Sequence, residues 1–178
     1  SKNNGVDTLL KALKLIQSQI PHHLAIVGEG PPDYLTELKK LAEGLGIGTR
    51  VHFIGAKENV WTCYRAFDCT VLASRNNNGV PLALLEAMYS SCPVIGSKIG
   101  GITDIIEDKI NGLLVEPQTP EKLADMIIET LANEAATLER VHQARELVKK
   151  KYTIDAMGRN IIRIYRLHQV KIERQYLV

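Results

Sequence analysis

The sequence predicts an α/β fold in which a parallel sheet is covered by helices on both faces. Short apolar runs alternate with segments of helical periodicity along most of the 178 residues. The apolar runs are nearly unbroken, which is typical of strands that are buried on both sides. Glycines follow several of these runs, and their loops would gather at the carboxyl end of the sheet, where such proteins bind ligands.

The predicted elements follow one another at a regular spacing. The first half contains helices that begin near Val6, near Tyr34 and at residue 59, with strands at residues 24–27, 51–54 and 68–73. The second half contains a helix over residues 82–89, strands at 93–96 and 113–115, a short helix at 102–106, and a helix capped by Thr119 that begins at Pro120 and reaches Leu131. Repeated strand–helix units of this kind favour a parallel sheet.

From residue 134 onward the pattern is helical only. One helix is expected to bury Leu138, Val141, Ala144 and Val148, and to end at lysines 149–151, whose charge is favourable at a helix C-terminus. Weak contact of these lysines with a membrane surface is the alternative interpretation. Thr153 would then cap a long final helix, and its inward side chains would be Met157, Ile161, Ile164, Tyr165 and Leu167.

Charge and cysteine content exclude several classes of function. The net charge is +2 and charged residues are well mixed, so the chain lacks the dominant basic face of a nucleic-acid-binding protein. No apolar run approaches the ~18 residues of a transmembrane span. Cys63, Cys69 and Cys92 lack the paired spacing of a metal site, and they are typical of reduced thiols in a cytoplasmic protein.

The strongest candidate site follows the third predicted strand, where residues 74–86 read SRNNNGVPLALLE. Pro81 suits the first helical position, and the amides that would face an anion there are those of Gly79, Val80 and Leu82. Glu86 lies just over one turn into the helix, where it could accept hydrogen bonds from ribose hydroxyls beside that anion. The stretch therefore suits a nucleotide. The alternative is a solvated asparagine turn with Glu86 on the surface.

Gly28 and Gly30 form a second candidate loop between a strand and a helix. The loop could approach a phosphate or a nucleotide, but it lacks the third glycine of a dinucleotide fingerprint. A tight strand-to-helix turn needs glycine in any case, so a plain turn is the alternative.

Six motifs, in their order, resemble the C-terminal half of a family 4 glycosyltransferase of the GT-B fold. They are VGEGP at residues 27–31, RVHFIG at 50–55, AS at 73–74 with NGVPLALLEAM at 78–88, CPVI at 92–95, GG at 100–101 and NGLLV at 111–115. The resemblance implies one Rossmann-like, donor-binding domain over residues 1–178. It also implies that the helix within residues 151–178 packs on a missing N-terminal, acceptor-binding domain, and that this chain alone turns over no substrate.

The resemblance also implies roles for individual residues. The hallmark of the family is two glutamates separated by seven residues. The second falls on Glu86, which would hold the ribose, and the first falls on Asn78, which would lie near the transferred sugar. The other residues expected around the donor are Gly28, Gly30, Gly55, Ser74, Gly79, Val80, Pro81 and Leu82. Asn78 is compatible with an altered but active enzyme, a mutant made to trap a donor, or an inactive homologue.

The cations that similar enzymes place on the diphosphate are a second departure. The family has an arginine and then a lysine before its first helix, and the lysine position falls on Asn4, with Lys2 close by. We expect Lys2 to bind the diphosphate. The alternative is that this cation is absent and that the amides at the start of the helix bind the diphosphate, with Arg75 or Lys98 as possible helpers. A further alternative is that these are solvated surface charges.

The function implied is transfer of a hexose or N-acetylhexosamine, with retention and without a metal or cofactor. The donor would be a nucleoside diphosphate sugar, UDP-sugar being expected, and the acceptor a glycan or lipid-linked acceptor in cell-surface polysaccharide synthesis. The enzyme would be cytoplasmic, or peripheral at the inner face of the membrane. Two alternatives are a catalytically silent nucleotide-binding or interaction module, for which Asn78 is the motivating feature, and a sugar-nucleotide epimerase.

Overall fold

The computed structural model describes residues 2–76 and 79–175, with side chains described as far as residue 166. Within these residues the elements are, in order, α1 (Val6–Ile16), β1 (Leu24–Val27), α2 (Pro32–Gly44), β2 (Val51–Gly55), α3 (Trp61–Ala66), β3 (Thr70–Leu72), α4 (Leu82–Tyr89), β4 (Val94–Ser97), α5 (Gly100–Thr103), β5 (Leu113–Val115), α6 (Pro120–Ala132), α7 (Glu134–Lys151) and α8 (Ile154–Gln175). Short 3-10 turns occupy Lys2–Asn4 and Gly48–Arg50.

All strand pairs are parallel, and they form two ladders. β1 pairs with β2, with Leu24 opposite Val51 and Val27 opposite Gly55. The other ladder has the order β3-β4-β5, and its central residue Ile95 lies opposite both Val71 and Leu113. The predicted α/β fold with parallel strands flanked by helices is confirmed. The sheet is interrupted in the described residues, because β1 and β3 are not hydrogen-bonded to each other.

Three apolar clusters hold the helices against the strands. One joins α4, β4 and α7 through residues such as Leu84, Met88 and Val148. Another packs α1 and α6 on the β3-β4-β5 ladder around Ile95, and a smaller one packs α1 and α2 on β2 around Ile47. Because α1 contributes to the last two clusters, it bridges the two ladders.

The predicted helices and strands are confirmed, but several of their ends differ. β3, α3 and α5 are shorter than predicted or are displaced by a few residues. Pro81 has extended backbone angles, φ −68° and ψ 123°, so it occupies the N-cap position of α4 and Leu82 is the first helical residue. Thr119 occupies the N-cap position of α6, but its hydroxyl donates to the carbonyl oxygen of Glu116 at 2.5 Å and does not cap the helix.

The inward face of α7 differs from the prediction. Leu138 is 60% exposed, whereas Thr137 and Arg140 are buried. Arg140 is accommodated because its guanidinium donates to Glu129 Oε1 at 3.2 Å and to Thr137 Oγ1 at 2.8 Å, which compensates for the loss of water. Periodicity could not reveal this polar network, since its partner carboxylate lies on α6.

The inward face predicted for α8 was wrong for the described residues. Thr153 does cap the helix, accepting a hydrogen bond from the amide of Ala156 at 3.2 Å. The predicted core residues are nevertheless exposed, namely Met157, Ile161, Ile164 and Tyr165, because α8 packs mainly on α7. The side chain of Leu167 lies outside the described residues. No helix in the described parts of the chain combines the length and apolar character needed to cross a bilayer.

Candidate functional site

The loops at the carboxyl ends of the strands pack closely against one another. A side chain at Gly101, in the first turn of α5, would overlap the peptide group that joins Gly79 and Val80. A side chain at Gly5 would overlap the carbonyl oxygen of Ala73 at the end of β3. Glycine at these two positions therefore lets the loops after β3 and β4 and the start of α1 converge at one end of the sheet.

The N-terminus of α4 is exposed at the end of the sheet where these loops converge. Leu82 is 67% exposed at its first position, and Gly79 and Val80 are exposed just before it. The amide of Leu84 donates to the carbonyl oxygen of Pro81, at 3.0 Å. The first amides of a helix have no partner within the helix, and the helix dipole makes this end attractive to an anion. The residues predicted to face an anion are thus exposed at a helix N-terminus.

Glu86 accepts a hydrogen bond from a tyrosine of α3. The Tyr64 hydroxyl donates to Glu86 Oε2 at 3.2 Å, and both side chains are partly buried. Burial first, then the charge of Glu86 and this hydrogen bond, raise the pKa of Tyr64 well above its ordinary value of 10.0. Tyr64 therefore remains a neutral donor at physiological pH. A carboxylate has two oxygens, so Glu86 can still accept hydrogen bonds from a ligand.

The glycine turns after β1 and β2 lie side by side. The amide of Gly28 donates to the carbonyl oxygen of Gly55 at 2.9 Å. Their φ angles of 124° and 75° are in the region that favours glycine. A side chain built at Gly28, Gly30 or Gly55 would meet no atom within 4 Å. These three predicted site residues therefore border open space.

The predicted cations are all engaged with carboxylates. Lys2 pairs with Glu37 at 3.0 Å and Lys98 with Glu116 at 3.6 Å, and all four side chains are exposed, so each pair contributes little to stability. The third cation is different, because Arg75 and its partner Asp7 on α1 are largely buried. The amide of Arg75 also donates to the carbonyl oxygen of Asn3 at 2.7 Å. Arg75 thus fixes the loop after β3 to the beginning of the chain.

The remaining predicted site residues are Ser74 and Asn78. Ser74 is partly buried at the end of β3. Asn78 lies outside the described residues. In the residues that the structure describes, His, Cys, Asp and Glu nowhere form a group of three that could hold a metal ion.

Sequence reasoning missed the role of three residues at this end of the sheet. Tyr64 has its hydroxyl at an apolar position of α3, which is a signal for a buried partner. Gly101 was recognised as part of a motif, but its contact joins loops that are far apart in sequence. The same holds for Gly5, which lies against β3.

The described fold, with its loops and the N-terminus of α4 gathered at one end of a parallel sheet, matches one Rossmann-like half of a GT-B glycosyltransferase. Residues 1–152 match the family model of the glycosyl transferases group 1, and the chain belongs to this family.

Individual relatives agree with that assignment. N-acetyl-alpha-D-glucosaminyl L-malate synthase of Bacillus anthracis is 32% identical over 151 residues, covering 85% of this chain and 39% of the relative. The crystal structure of the C-terminal domain of a glycosyl transferase group 1 family protein (LpcC) from Francisella tularensis is 30% identical, with a TM-score of 0.78 and coverage of 86% of this chain and 82% of that one. The Anabaena protein Alr3699/HepE in complex with UDP shares 24% identity and a TM-score of 0.87, covering 93% of this chain and 46% of that one. The chain thus spans less than half of the Bacillus and Anabaena proteins.

Proposed function

We propose that this chain is the C-terminal, donor-binding domain of a family 4 glycosyltransferase, extending over residues 1–178. Its ligand is a nucleoside diphosphate sugar. The observation that carries the proposal is the placement of Glu86, held by Tyr64 at 3.2 Å, one turn beyond the exposed N-terminus of α4. A carboxylate that accepts ribose hydroxyls beside an anion-binding helix end suits a nucleoside diphosphate.

The amides of Gly79, Val80 and Leu82 receive the diphosphate, since they combine the positive end of the helix dipole with exposed backbone donors. Lys2 adds a positive charge once it leaves Glu37, and that exchange costs little because their pair is exposed. Ser74 lies beside the diphosphate. The open space next to Gly28, Gly30 and Gly55 receives the base. UDP is the proposed nucleotide, in line with its presence in the Anabaena structure.

The full-length protein transfers a hexose or N-acetylhexosamine with retention of configuration. Loss of the nucleoside diphosphate develops negative charge at the N-terminus of α4, so the amides there stabilise the transition state without a metal. The acceptor, a glycan or a lipid-linked acceptor of cell-surface polysaccharide synthesis, binds to a separate N-terminal domain. This chain alone is then inactive. The full-length protein acts in the cytoplasm, where the apolar face of α8 packs on the N-terminal domain and lysines 149–151 contact the membrane weakly.

Asn78 modifies the chemistry of the transferred sugar. It can donate and accept a hydrogen bond, but a bond to a charged group is worth about 1.5–3 kcal/mol and a neutral one about 1 kcal/mol. Asn78→Glu in the full-length protein tests this directly. Transfer by both forms supports an altered but active enzyme, and transfer only by the glutamate form supports a catalytically silent module.

Calorimetric titration with UDP, GDP and ADP tests donor binding and identifies the base. We expect one nucleotide to bind in the millimolar to micromolar range, about −4 to −8 kcal/mol, and Glu86→Ala to lose most of that affinity. The matched control is Asp125→Ala, which removes an exposed carboxylate of α6. Equal nucleotide affinity in the unsubstituted chain, Glu86→Ala and Asp125→Ala would contradict the role of Glu86. Failure of every nucleotide to bind the full-length protein would contradict the proposal.

A further inference from the structure

A largely buried ion pair joins the beginning of α1 to the loop after β3. Asp7 lies in the first turn of α1, and its Oδ2 atom accepts a hydrogen bond from the guanidinium of Arg75. The two side chains are only 22% and 30% exposed, respectively. Because solvent screens such a pair less than it screens a surface pair, the pair limits where the loop after β3 can lie.

Two backbone contacts hold the same loop against the same part of the chain. The amide of Arg75 donates to the carbonyl oxygen of Asn3 at 2.7 Å, and the backbone of Gly5 abuts the carbonyl oxygen of Ala73. The chain continues from this loop to the exposed N-terminus of α4, where the amides proposed to receive the diphosphate lie. The position of Arg75 is therefore linked to the position of those amides.

A tyrosine of α2 lies beside the ion pair. Tyr34 is in the first turn of α2, which follows the glycine turn after β1. Burial, and then the negative charge of Asp7, raise the pKa of the Tyr34 hydroxyl, and the positive charge of Arg75 opposes them. The cluster of Asp7, Arg75 and Tyr34 therefore joins α1, α2 and the loop after β3, which belong to both ladders of the sheet.

This cluster is not arranged for the greatest stability. In the part of the chain that the structure describes, Asp7 Oδ1, Arg75 Nε and the Tyr34 hydroxyl are buried without a hydrogen-bond partner, and such atoms lower stability. A second largely buried pair, Arg140 with Glu129, leaves no buried side-chain atom unpartnered among the described residues. Polar groups whose burial is costly are expected where they fix a functional geometry.

We propose that Asp7 is a positioning residue of the donor site, and that it acts through Arg75 on the loop that leads into α4. This role rests on the proposed function, because it assigns the held loop to diphosphate binding. Asp7 itself does not contact the donor, since its carboxylate faces Arg75 and would repel a phosphate. A different role for the pair has the opposite sign. If Arg75 left Asp7 and bound the diphosphate directly, Asp7 would compete with the donor.

The test compares Asp7→Asn, Arg75→Ala and the double variant in the full-length protein, by calorimetric titration with UDP and by competition with uridine. We expect Asp7→Asn to weaken UDP binding by about fivefold and to leave the affinity for uridine unchanged, because Glu86 and not the loop holds the nucleoside. The double variant should bind UDP no more weakly than the weaker single variant, since both substitutions break the same link.

Glu129→Gln is the matched control. It removes a carboxylate from the second largely buried pair, in the last turn of α6, and should lower the melting temperature without changing the affinity for UDP. Hydrogen exchange of the full-length protein without nucleotide, measured by mass spectrometry, is the second readout. The peptide that contains Arg75 should exchange faster in Asp7→Asn than in Glu129→Gln, because the amide of Arg75 is bonded to Asn3.

Several results would overturn this role of Asp7. Tighter binding of UDP by Asp7→Asn would show that Arg75 is itself a ligand of the diphosphate, and unchanged binding would show that the amides do not depend on the pair. Equal losses of affinity for UDP and uridine, or an equal loss in Glu129→Gln, would show only a general loss of stability. Exchange at Arg75 that is no faster in Asp7→Asn would show that Asp7 does not hold the loop.

Failure of the proposed function gives a different result. If the unsubstituted full-length protein binds no UDP, the proposed function fails, and the role of Asp7 in the donor site fails with it. Faster exchange at Arg75 in Asp7→Asn would then show that the contact between Asp7 and the loop is sound and that the assigned ligand is wrong.

Discussion

The two ladders of the sheet differ in how firmly they are packed. Among the described residues, the β3-β4-β5 ladder is covered by two clusters, of 10 and 9 buried residues, which join it to α1, α4, α6 and α7. The β1-β2 ladder is covered by one cluster of 6 buried residues, which joins it to α1 and α2. The larger ladder presents the N-terminus of α4 and Glu86, and the smaller ladder presents the open glycine turns at Gly28 and Gly55.

The candidate site is divided between the two ladders in the same way. The groups proposed to receive the diphosphate and ribose belong to the tightly packed ladder, where small displacements are costly. The groups proposed to border the base belong to the lightly packed ladder, whose glycine turns leave open space. A nucleotide bound across both ladders would tie them together and stabilise the fold by linkage.

The largest loss of stability should come from truncating a buried side chain in the core that covers the larger ladder. Leu84 is fully buried in α4, and Leu84→Ala should lower the free energy of unfolding by about 2–5 kcal/mol, since a cavity remains. The control Leu138→Ala, at an exposed site of α7, should change it by no more than about 0.5 kcal/mol. Urea denaturation measures both. A cost of Leu138→Ala as large as that of Leu84→Ala would restore the inward face that periodicity predicted for α7.

The next effect distinguishes a glycine that contacts a neighbouring loop from a glycine that borders open space. Gly101→Ala places a methyl group against the Gly79–Val80 peptide, and overpacking of this kind costs about 1–3 kcal/mol. Gly30→Ala meets no atom within 4 Å and should be tolerated. Thermal unfolding of the two variants, followed by circular dichroism, measures the difference. Equal melting temperatures would mean that the loops of the larger ladder are not tightly packed.

A smaller effect, on nucleotide affinity, is expected when the hydroxyl that donates to Glu86 is removed. Tyr64→Phe removes the donor at 3.2 Å and should weaken nucleotide binding by about tenfold, corresponding to about 1.4 kcal/mol. Tyr89→Phe, which removes the hydroxyl of an exposed tyrosine on α4, is the control. Titration calorimetry decides the point, and unchanged affinity in the Tyr64 variant would show that Glu86 needs no support from α3.

Some features of the fold and of the candidate site could be predicted from the sequence, and others could not. The strands at residues 24–27 and 113–115 and the exposed N-terminus of α4 follow from local apolar runs and from Pro81 and Gly79. Leu138, Arg140 and the exposed face of α8 could not be predicted in the same way, because helical periodicity does not say which neighbour covers a face. The contact of Gly101 with Gly79 and that of Tyr64 with Glu86 join residues 22 apart in sequence, and only the packed fold brings them together.

The last effect is a pH dependence at the edge of the larger ladder, and it appears only at alkaline pH. Burial, followed by the nearby Cys92 and Asp68, raises the pKa of the Cys69 thiol from 9.0 to about 12. The folded chain therefore holds this proton more tightly than the unfolded chain does. Its contribution to stability is complete below pH 9 and is lost as the pH rises through about 12. Urea denaturation between about pH 8 and 11 should show a decline that is smaller in Cys69→Ala. An equal decline of stability in the unsubstituted chain and in Cys69→Ala would show that the Cys69 thiol is not responsible for the pH dependence.

In the proposed function, one nucleoside diphosphate lies across the carboxyl ends of both ladders. The most direct measurement is a titration of the full-length protein with UDP, observed through the backbone amide resonances. We predict that Gly28 and Gly55 on one ladder and Gly79 and Leu82 on the other shift together, along a single saturation curve. Resonances that shift on only one ladder, or shifts confined to residues away from these loops, would contradict it.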